Sequence, residues 1–248
     1  MRRIPGWLVL AGAELVLLRR SPLAVANAVL GPLALGVAWV LLAKDSGKSD
    51  GGDTAAMQLL MLLGFAPYVG ATATIATRRQ ELVLKRLRTC DVSNTGIIAG
   101  LLTPFALLVV LQSAVLFSIT IVVGGQEPVR WWPLLAAVAG GTVLAMAFAF
   151  VTAAFTPAPE LVQLTSTPFF LGLFGGGMWL LHTGTATWPM RAVPGVPVAD
   201  LVRLAWRHPG ASQWEVLHQS APSLLAILLL AASAVALAVR TFRWELRR

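Results

Sequence analysis

The chain alternates between long apolar stretches and short polar breaks. Six of the apolar stretches approach or exceed the roughly 20 residues that a helix needs to cross the hydrocarbon core of a bilayer. They are residues 23–43, 55–77, 97–123, 132–155, 161–181 and 223–239. We therefore predict an all-α, polytopic membrane protein with six transmembrane helices, formed as a single membrane domain over residues 1–248.

Two further stretches predict helices that do not cross the membrane. Residues 5–20 are apolar but end at Arg19 and Arg20, and their length favours a helix lying in the membrane interface. A cleavable signal peptide is the less favoured alternative, because the segment before the possible cleavage site at residues 11–13 is short. Residues 198–219 contain two short amphipathic helices with tryptophans, which are typical of an interface. We expect these two helices on the external surface, before the sixth span.

The distribution of charge predicts the orientation of the spans. Apolar residues make up 57% of the chain and charged residues 12%, with a mean hydropathy of +0.76. Of the 19 Lys and Arg residues, 13 fall on the side that holds both termini and residues 78–88, whereas the 11 acidic residues divide into five on that side and six on the other. The positive-inside rule therefore places both termini in the cytoplasm. Because this asymmetry accounts for the net charge of +8, we expect no nucleic-acid partner.

A basic stretch between the second and third spans predicts an amphipathic surface helix. It carries five cations within residues 78–88, and Val83, Leu84 and Leu87 fall on one side of a helix. Glu81 precedes Lys85 by four residues, which is the favourable order for an ion pair within a helix. Such a helix can anchor on anionic lipid or dock onto a cytosolic partner. We favour docking, because an anchor needs only cations, whereas this stretch adds an acidic residue and a leucine face.

Catalytic chemistry is not indicated. The spans lack paired nucleophiles, acids or metal ligands, and the single cysteine, Cys90, excludes an internal disulfide. Residues 47–49 resemble the end of a phosphate-binding loop, but Leu42 stands where that motif requires its first glycine. Buried charge within spans, which a proton-coupled transporter would need, is also not visible. We therefore predict no catalytic site, no metal site and no cofactor bound by this chain.

The fifth span combines hydroxyl, aromatic and small residues. A polar and aromatic lining suited to an amphipathic solute is predicted from Thr165, Ser166, Thr167, Phe169 and Phe170. The alternative is that the hydroxyls bond back to their own helix. Close helix packing, or bending of the span as a gate, is predicted from Gly96, Gly100, Pro168, Gly172 and Gly176.

The run Arg-Gln-Glu-Leu-Val-Leu-Lys-Arg-Leu-Arg-Thr at residues 79–89 resembles the signature of the type-2 ABC exporter permeases (ABC-2 type). That signature has an Arg-Glu pair, a leucine and then Leu-Arg-Thr; the family often has glycine and threonine in place of Leu82 and Val83, and proline in place of Asp91. The predicted order of elements is also similar over nearly the whole chain. It comprises a flat N-terminal helix, six spans, a basic helix between the second and third, and external helices before the sixth.

The resemblance implies a function. The helix at residues 79–89 would be the coupling helix, seated in a groove of a separate ATP-hydrolysing subunit that binds ATP and Mg²⁺. The residues of that dock would be Arg79, Glu81, Leu84, Lys85, Leu87 and Arg88. Two copies of this chain and two ATPase subunits would form an exporter in the bacterial cytoplasmic membrane, among its lipids, with the solute path along spans two and five.

The expected substrate is a hydrophobic or amphipathic compound, such as a drug, antibiotic or lipid, exported by alternating access. A carbohydrate-exporting or polymer-exporting permease of the same family is the nearest alternative. A proton-coupled secondary transporter and an intramembrane enzyme are the alternatives from other classes.

Overall fold

The structure, a computed structural model, describes residues 5–45, 50–82, 93–207 and 210–241. Within these ranges every regular element is a helix, and six helices are long and apolar enough to cross a membrane, which confirms the predicted all-α class. We number them span 1 to span 6: Ala26–Asp45, Gly51–Gln80, Asn94–Gly124, Trp131–Phe155, Pro159–Thr183 and Gln213–Thr241. Two non-spanning helices, Gly6–Arg20 and Gly195–Trp206, complete the main architecture.

Local capping explains why spans 2 and 3 begin before their apolar stretches do. The Asp50 carboxylate accepts a hydrogen bond from the backbone N–H of Gly52 at 2.9 Å, and the Ser93 hydroxyl accepts one from Gly96 at 3.1 Å. Such side-chain acceptors satisfy the free N–H groups of a first helical turn. Span 3 ends at Gly125, whose φ of 65° is the left-handed conformation that commonly stops a helix.

The N-terminal helix, Gly6–Arg20, packs lengthwise against span 3. Leu10 lies over Gly100, where an added Cβ would come within 2.8 Å of the leucine side chain, so the small-residue contact predicted at Gly100 is present. On its outer side this helix exposes Trp7, Leu8 and Val16. An exposed apolar face is what a helix lying in the membrane interface requires.

Span 2 changes its winding in the middle. Residues Gly64–Gly70 form a π-helical segment around Pro67, between regular helices on either side. Proline lacks an N–H and its ring collides with the preceding turn, and a wider turn removes both problems without breaking the helix. The segment turns Tyr68 into the core, where its side chain is fully buried.

The segment between spans 5 and 6 differs from the sequence-based expectation. The first external helix predicted in residues 198–219 is the helix Gly195–Trp206, and eleven of its twelve residues are buried. It contacts spans 2, 4, 5 and 6, so its predicted surface position is wrong, and we call it the inserted helix. The second predicted helix is not separate. It is the beginning of span 6, which continues through Pro222, because proline within a membrane helix is tolerated when neighbouring helices support it.

The inserted helix reaches about halfway into the bundle. Its first residue, Gly195, touches the backbone of Leu173, which lies ten residues before the end of span 5. Val198 packs against Gly141, ten residues after the start of span 4. At 1.5 Å per residue both contacts lie about 15 Å from the helix ends. Spans 4 and 5 each have 25 residues, so the segment enters the bundle for somewhat less than half of their length.

Candidate functional site

The end of span 2 holds a charged cluster next to the N-terminal helix. The Arg78 guanidinium donates to both carboxylate oxygens of Glu14, each at 2.9 Å, and to Glu81 at 3.0 Å. A bidentate arginine–carboxylate pair fixes the relative orientation of the two side chains as well as the distance between them. Glu14 is buried, whereas the Glu81 side chain is 50% exposed. We call Glu14, Arg78 and Glu81 the span 2 clamp, because they tie the N-terminal helix to the point where the basic stretch begins.

Arg79 faces a different side of the helix from Arg78. Its side chain is buried, and its guanidinium donates to the backbone carbonyl of Thr156, in the connection between spans 4 and 5. Successive residues on an α-helix point about 100° apart, so the two arginines cannot share one surface. The predicted role of Arg79 in a docking surface is therefore corrected: Arg79 ties span 2 to the rest of the bundle.

The predicted coupling helix does not begin at Arg79. The helix of span 2 ends at Gln80, and Glu81 and Leu82 form a turn in which Leu82 has a φ of 57°. A left-handed conformation is unfavourable for a leucine and interrupts a continuous helix at that position. The other predicted docking residues lie outside the described residues: Leu84, Lys85, Leu87 and Arg88.

The two phenylalanines predicted to line a solute path occupy different surroundings. Phe169 is buried between Phe148 and Tyr68, with ring centroids 4.4 Å from each. Phe170 is half-buried and meets Phe65 of span 2 edge to face, with centroids 5.4 Å apart. Phe169 thus belongs to the core between spans 2, 4 and 5. Phe170 lies where span 5 meets the π-helical segment of span 2.

The three neighbouring hydroxyl residues, Thr165, Ser166 and Thr167, also differ in their surroundings. Thr167 is exposed and donates to the backbone carbonyl of Gln163 at 2.9 Å, and Thr165 donates in the same manner to Leu161 at 3.1 Å. The alternative reading, hydroxyls bonding back to their own helix, therefore holds for both threonines. The Ser166 side chain is buried and its hydroxyl has no hydrogen-bond partner among the described residues.

Tyr68 links spans 2, 4 and 5 at this level of the bundle. Its hydroxyl lies 2.9 Å from the Thr152 hydroxyl and 3.3 Å from the Ser166 carbonyl oxygen. Tyr68 is the only tyrosine in the chain and is not among the residues predicted from the sequence. A lone tyrosine next to a proline in the middle of an apolar span was the available signal, since a buried phenol needs a hydrogen-bond partner.

Gly176 of span 5 forms part of the seat for the inserted helix. A Cβ at Gly176 would lie 2.8 Å from Val193 and 3.2 Å from the backbone nitrogen of Val196, whereas Gly172 meets only the ring of Pro194 at 3.6 Å. The helix Val162–Thr183 continues through Pro168 without a break. Close packing therefore explains why a glycine is present at position 176. Bending of span 5 as a gate stays a prediction.

The inserted helix is held by a buried arginine at its outer end. Arg203 forms an ion pair with Asp53, the third residue of span 2, at 2.5 Å. The same guanidinium donates to the carbonyls of Leu180 and Gly184 at the end of span 5, both at 3.2 Å. The Arg203 side chain is only 4% exposed, so these contacts replace most of its hydration.

A second polar group holds the inserted helix to span 6. Ser223 donates to the Asp200 carboxylate at 2.6 Å and accepts from the Arg191 guanidinium at 2.9 Å. The Arg191 guanidinium also forms an ion pair with the Asp200 carboxylate at 3.2 Å. From the sequence these charges were predicted to lie in an external segment, because the spacing of charged residues does not show whether water or another helix faces them.

Among the described residues, no group of three or more His, Cys, Asp or Glu side chains could hold a metal ion. No protein-family model matches the sequence, and no curated protein matches it. Functional inference therefore rests on the geometry of the span 2 clamp and on the residues of the basic stretch.

Proposed function

We propose that this chain is the transmembrane permease subunit of an ATP-driven exporter of the type-2 ABC class. Two copies of the chain and two copies of a separate ATPase form the transporter, and the ATPase binds ATP and Mg²⁺. The exported compound is hydrophobic or amphipathic and leaves the cytoplasm by alternating access. The resemblance of residues 79–89 suggests the family. The contacts of the span 2 clamp support the proposed transmission of movement from the ATPase to the spans.

The span 2 clamp is the observation that carries the proposal. Arg78 joins the start of the basic stretch to the N-terminal helix, which packs along span 3, and Arg79 joins it to the connection between spans 4 and 5. A force applied to residues 81–92 therefore has direct contacts that lead to several spans. A segment that only anchored on lipid would not need these contacts with other helices. A segment pushed by an ATPase would need them to pass its movement on to the spans.

The proposed solute path runs where span 2 meets span 5. The π-helical segment of span 2 contacts span 5 through the pairs Tyr68–Phe169 and Phe65–Phe170, so a movement of span 2 reaches these aromatic faces directly. An aromatic face provides contact area without fixing a hydrogen-bond pattern, which suits a hydrophobic or amphipathic solute. Of the predicted lining residues, exposed Thr167 and half-buried Thr165 and Phe170 are the accessible ones.

The test is a charged substitution in the basic stretch. We expect Leu87→Glu to remove the ATPase from the purified transporter, because burying an unpaired carboxylate in a docking groove costs several kcal/mol, and each 1.4 kcal/mol is a tenfold loss of affinity. Tagged chain is purified from its native membranes, and copurifying ATP hydrolysis is measured per chain. The matched control is Val129→Glu, which adds the same charge at a 40% exposed position on the opposite end of the bundle.

We expect Val129→Glu to keep wild-type ATPase and Leu87→Glu to lose at least tenfold. Equal retention of ATPase, together with normal export by both variants, would favour the lipid anchor. ATP hydrolysis by the isolated chain, after contaminating ATPases are removed, would contradict a separate ATPase. Labelling of Cys90 by an impermeant maleimide in intact cells would contradict the proposed cytoplasmic position of the basic stretch.

A further inference from the structure

Spans 3, 4 and 6 leave an apolar groove between them that belongs to none of the sites described above. Its volume is about 530 Å³, and it lies in the half of the bundle nearer the N-terminal helix. Ile98 and Leu102 of span 3 form one wall, and Val235 and Val239 of span 6 form the other. Span 4 forms the floor, where the small side chain of Ala147 is buried.

The length of the groove corresponds to one membrane leaflet. Asn94, the first residue of span 3, lines its outer end, and Leu102 lies eight residues deeper, which is about 12 Å along the helix. On span 4, Val143 lies twelve residues, about 18 Å, before the helix ends at Phe155. Half of a hydrocarbon core of roughly 30 Å is about 15 Å. The groove therefore runs from the membrane surface to near the midplane.

Polar character is confined to the surface end of the groove. Among the residues that line it, Asn94 is the only polar one. Arg240 directly follows the lining residue Val239 in the last turn of span 6 and is exposed. The N-terminus of span 3, which carries partial positive charge, lies at the same end. An occupant of matching chemistry has an apolar body about one leaflet long and a negatively charged head.

We propose that this groove binds one acyl chain of an anionic phospholipid, with the lipid phosphate at the Asn94 and Arg240 end. The groove opens on the outer surface of the bundle, and its floor holds the small side chain of Ala147 between the larger Met146 and Phe150, which leaves room for a chain between spans 3 and 6. In the proposed orientation this leaflet is the cytoplasmic one, whose surface is rich in anionic lipid. The site is separate from the proposed solute path, so it can hold whether or not the chain is an exporter.

The test uses the full chain, purified in detergent and examined by native mass spectrometry after incubation with phosphatidylglycerol or phosphatidylcholine of identical acyl chains. We expect the wild type to retain one phosphatidylglycerol per chain, in preference to phosphatidylcholine. Val143→Trp fills the groove and should lower retention at least fivefold. Val110→Trp is the matched control, because Val110 and Val143 are 55% and 57% exposed and Val110 does not line the groove.

The headgroup part of the proposal has its own pair of variants. Arg240→Gln should remove most of the preference for phosphatidylglycerol while leaving total lipid retention within twofold. Arg20→Gln, which removes another exposed cation, at the end of the N-terminal helix, should change neither quantity. An unchanged preference in Arg240→Gln would overturn the assignment of the phosphate end.

Equal lipid retention by Val143→Trp and Val110→Trp would overturn the groove as a lipid site. Conversion of a dimer to a monomer by Val143→Trp alone, with lipid retention unchanged, would show that a second copy covers the groove instead. Should Val143→Trp fail to fold, a phosphatidylglycerol with a photoreactive acyl chain is crosslinked to the wild type. Crosslinks concentrated at residues 143–150 and 235–239 support the proposal, and crosslinks spread evenly over all exposed helix faces overturn it.

Discussion

Each end of the bundle uses an arginine–carboxylate pair to hold a helix that does not span the membrane, but the two pairs have different surroundings. At the inserted-helix end, Arg203 pairs with Asp53 and also donates to two backbone carbonyls, and its side chain is 4% exposed. At the other end, Arg78 pairs with buried Glu14 but also reaches Glu81, whose side chain is 50% exposed. One arginine is enclosed by the protein, and the other connects the interior to the surface.

This difference has a physical consequence for motion. A buried ion pair such as Arg203–Asp53 or Arg78–Glu14 costs several kcal/mol to break, since each charge is left without water, whereas an exposed pair such as Arg78–Glu81 contributes little and exchanges readily with solvent. We therefore interpret the inserted-helix end as the fixed part of the bundle and the span 2 clamp as the part that a partner can reach. The following predictions test this comparison, from the largest expected effect to the smallest.

The largest effect is expected at the seat of the inserted helix. A Cβ at Gly195 would overlap the backbone oxygen of Leu173, and a backbone atom cannot move aside without shifting a whole helix. We expect Gly195→Ala to lower the free energy of unfolding by about 3 kcal/mol, at the upper end of the cost of overpacking. The measurement is denaturant unfolding of the full chain in micelles.

Gly175→Ala is the control for this substitution, because an added Cβ at Gly175 has no atom within 4 Å. Replacing glycine by alanine within a helix should raise stability there by up to about 1 kcal/mol. Equal and small effects of the two substitutions would mean that the inserted helix is not seated as tightly as the structure shows, and the contrast between the two ends would lose its basis.

The second effect compares the two arginines directly. Arg203→Ala should lower the free energy of unfolding by about 3 kcal/mol, because it leaves Asp53 and two carbonyl groups without their partner. Arg78→Ala should cost less, about 2 kcal/mol, because the Arg78 side chain is 17% exposed, so that water can enter beside Glu14 once the guanidinium is removed. Both are measured by unfolding under one set of conditions. A cost for Arg78→Ala as large as that for Arg203→Ala would show that the clamp is as rigid as the opposite end.

The smallest effect on stability is expected at Glu81. Glu81→Ala removes one exposed ion pair and should change the free energy of unfolding by no more than about 0.5 kcal/mol. Under the proposed function, the same substitution should still reduce copurifying ATPase, because Glu81 is the exposed member of the clamp. Glu160→Ala removes another exposed glutamate at the same end of the bundle and should leave the ATPase unchanged. Equal ATPase yields from the two variants would remove Glu81 from the docking surface.

Much of the fold could be predicted from the sequence, because long apolar stretches have few alternatives to a membrane-spanning helix. The cap at Ser93 and the start of span 6 at Ser212 also follow from local sequence, since each hydroxyl accepts a hydrogen bond from a backbone N–H three residues on. The candidate site was less predictable. Arg78 and Arg79 carry the same charge in adjacent positions, yet one binds Glu14 and the other binds the Thr156 carbonyl, 64 and 77 residues away.

The sequence by itself determined the number of apolar helices, their approximate bounds and the asymmetry of charge, because these depend on the solubility of each segment in hydrocarbon or water. Only the tertiary structure decided that the helix Gly195–Trp206 lies inside the bundle rather than on its surface. Its pattern of apolar and charged positions suits either place, because Asp200 and Arg203 can be satisfied by water or by partners on other helices. Contact with Asp53 and Ser223, distant in the chain, made the buried position possible.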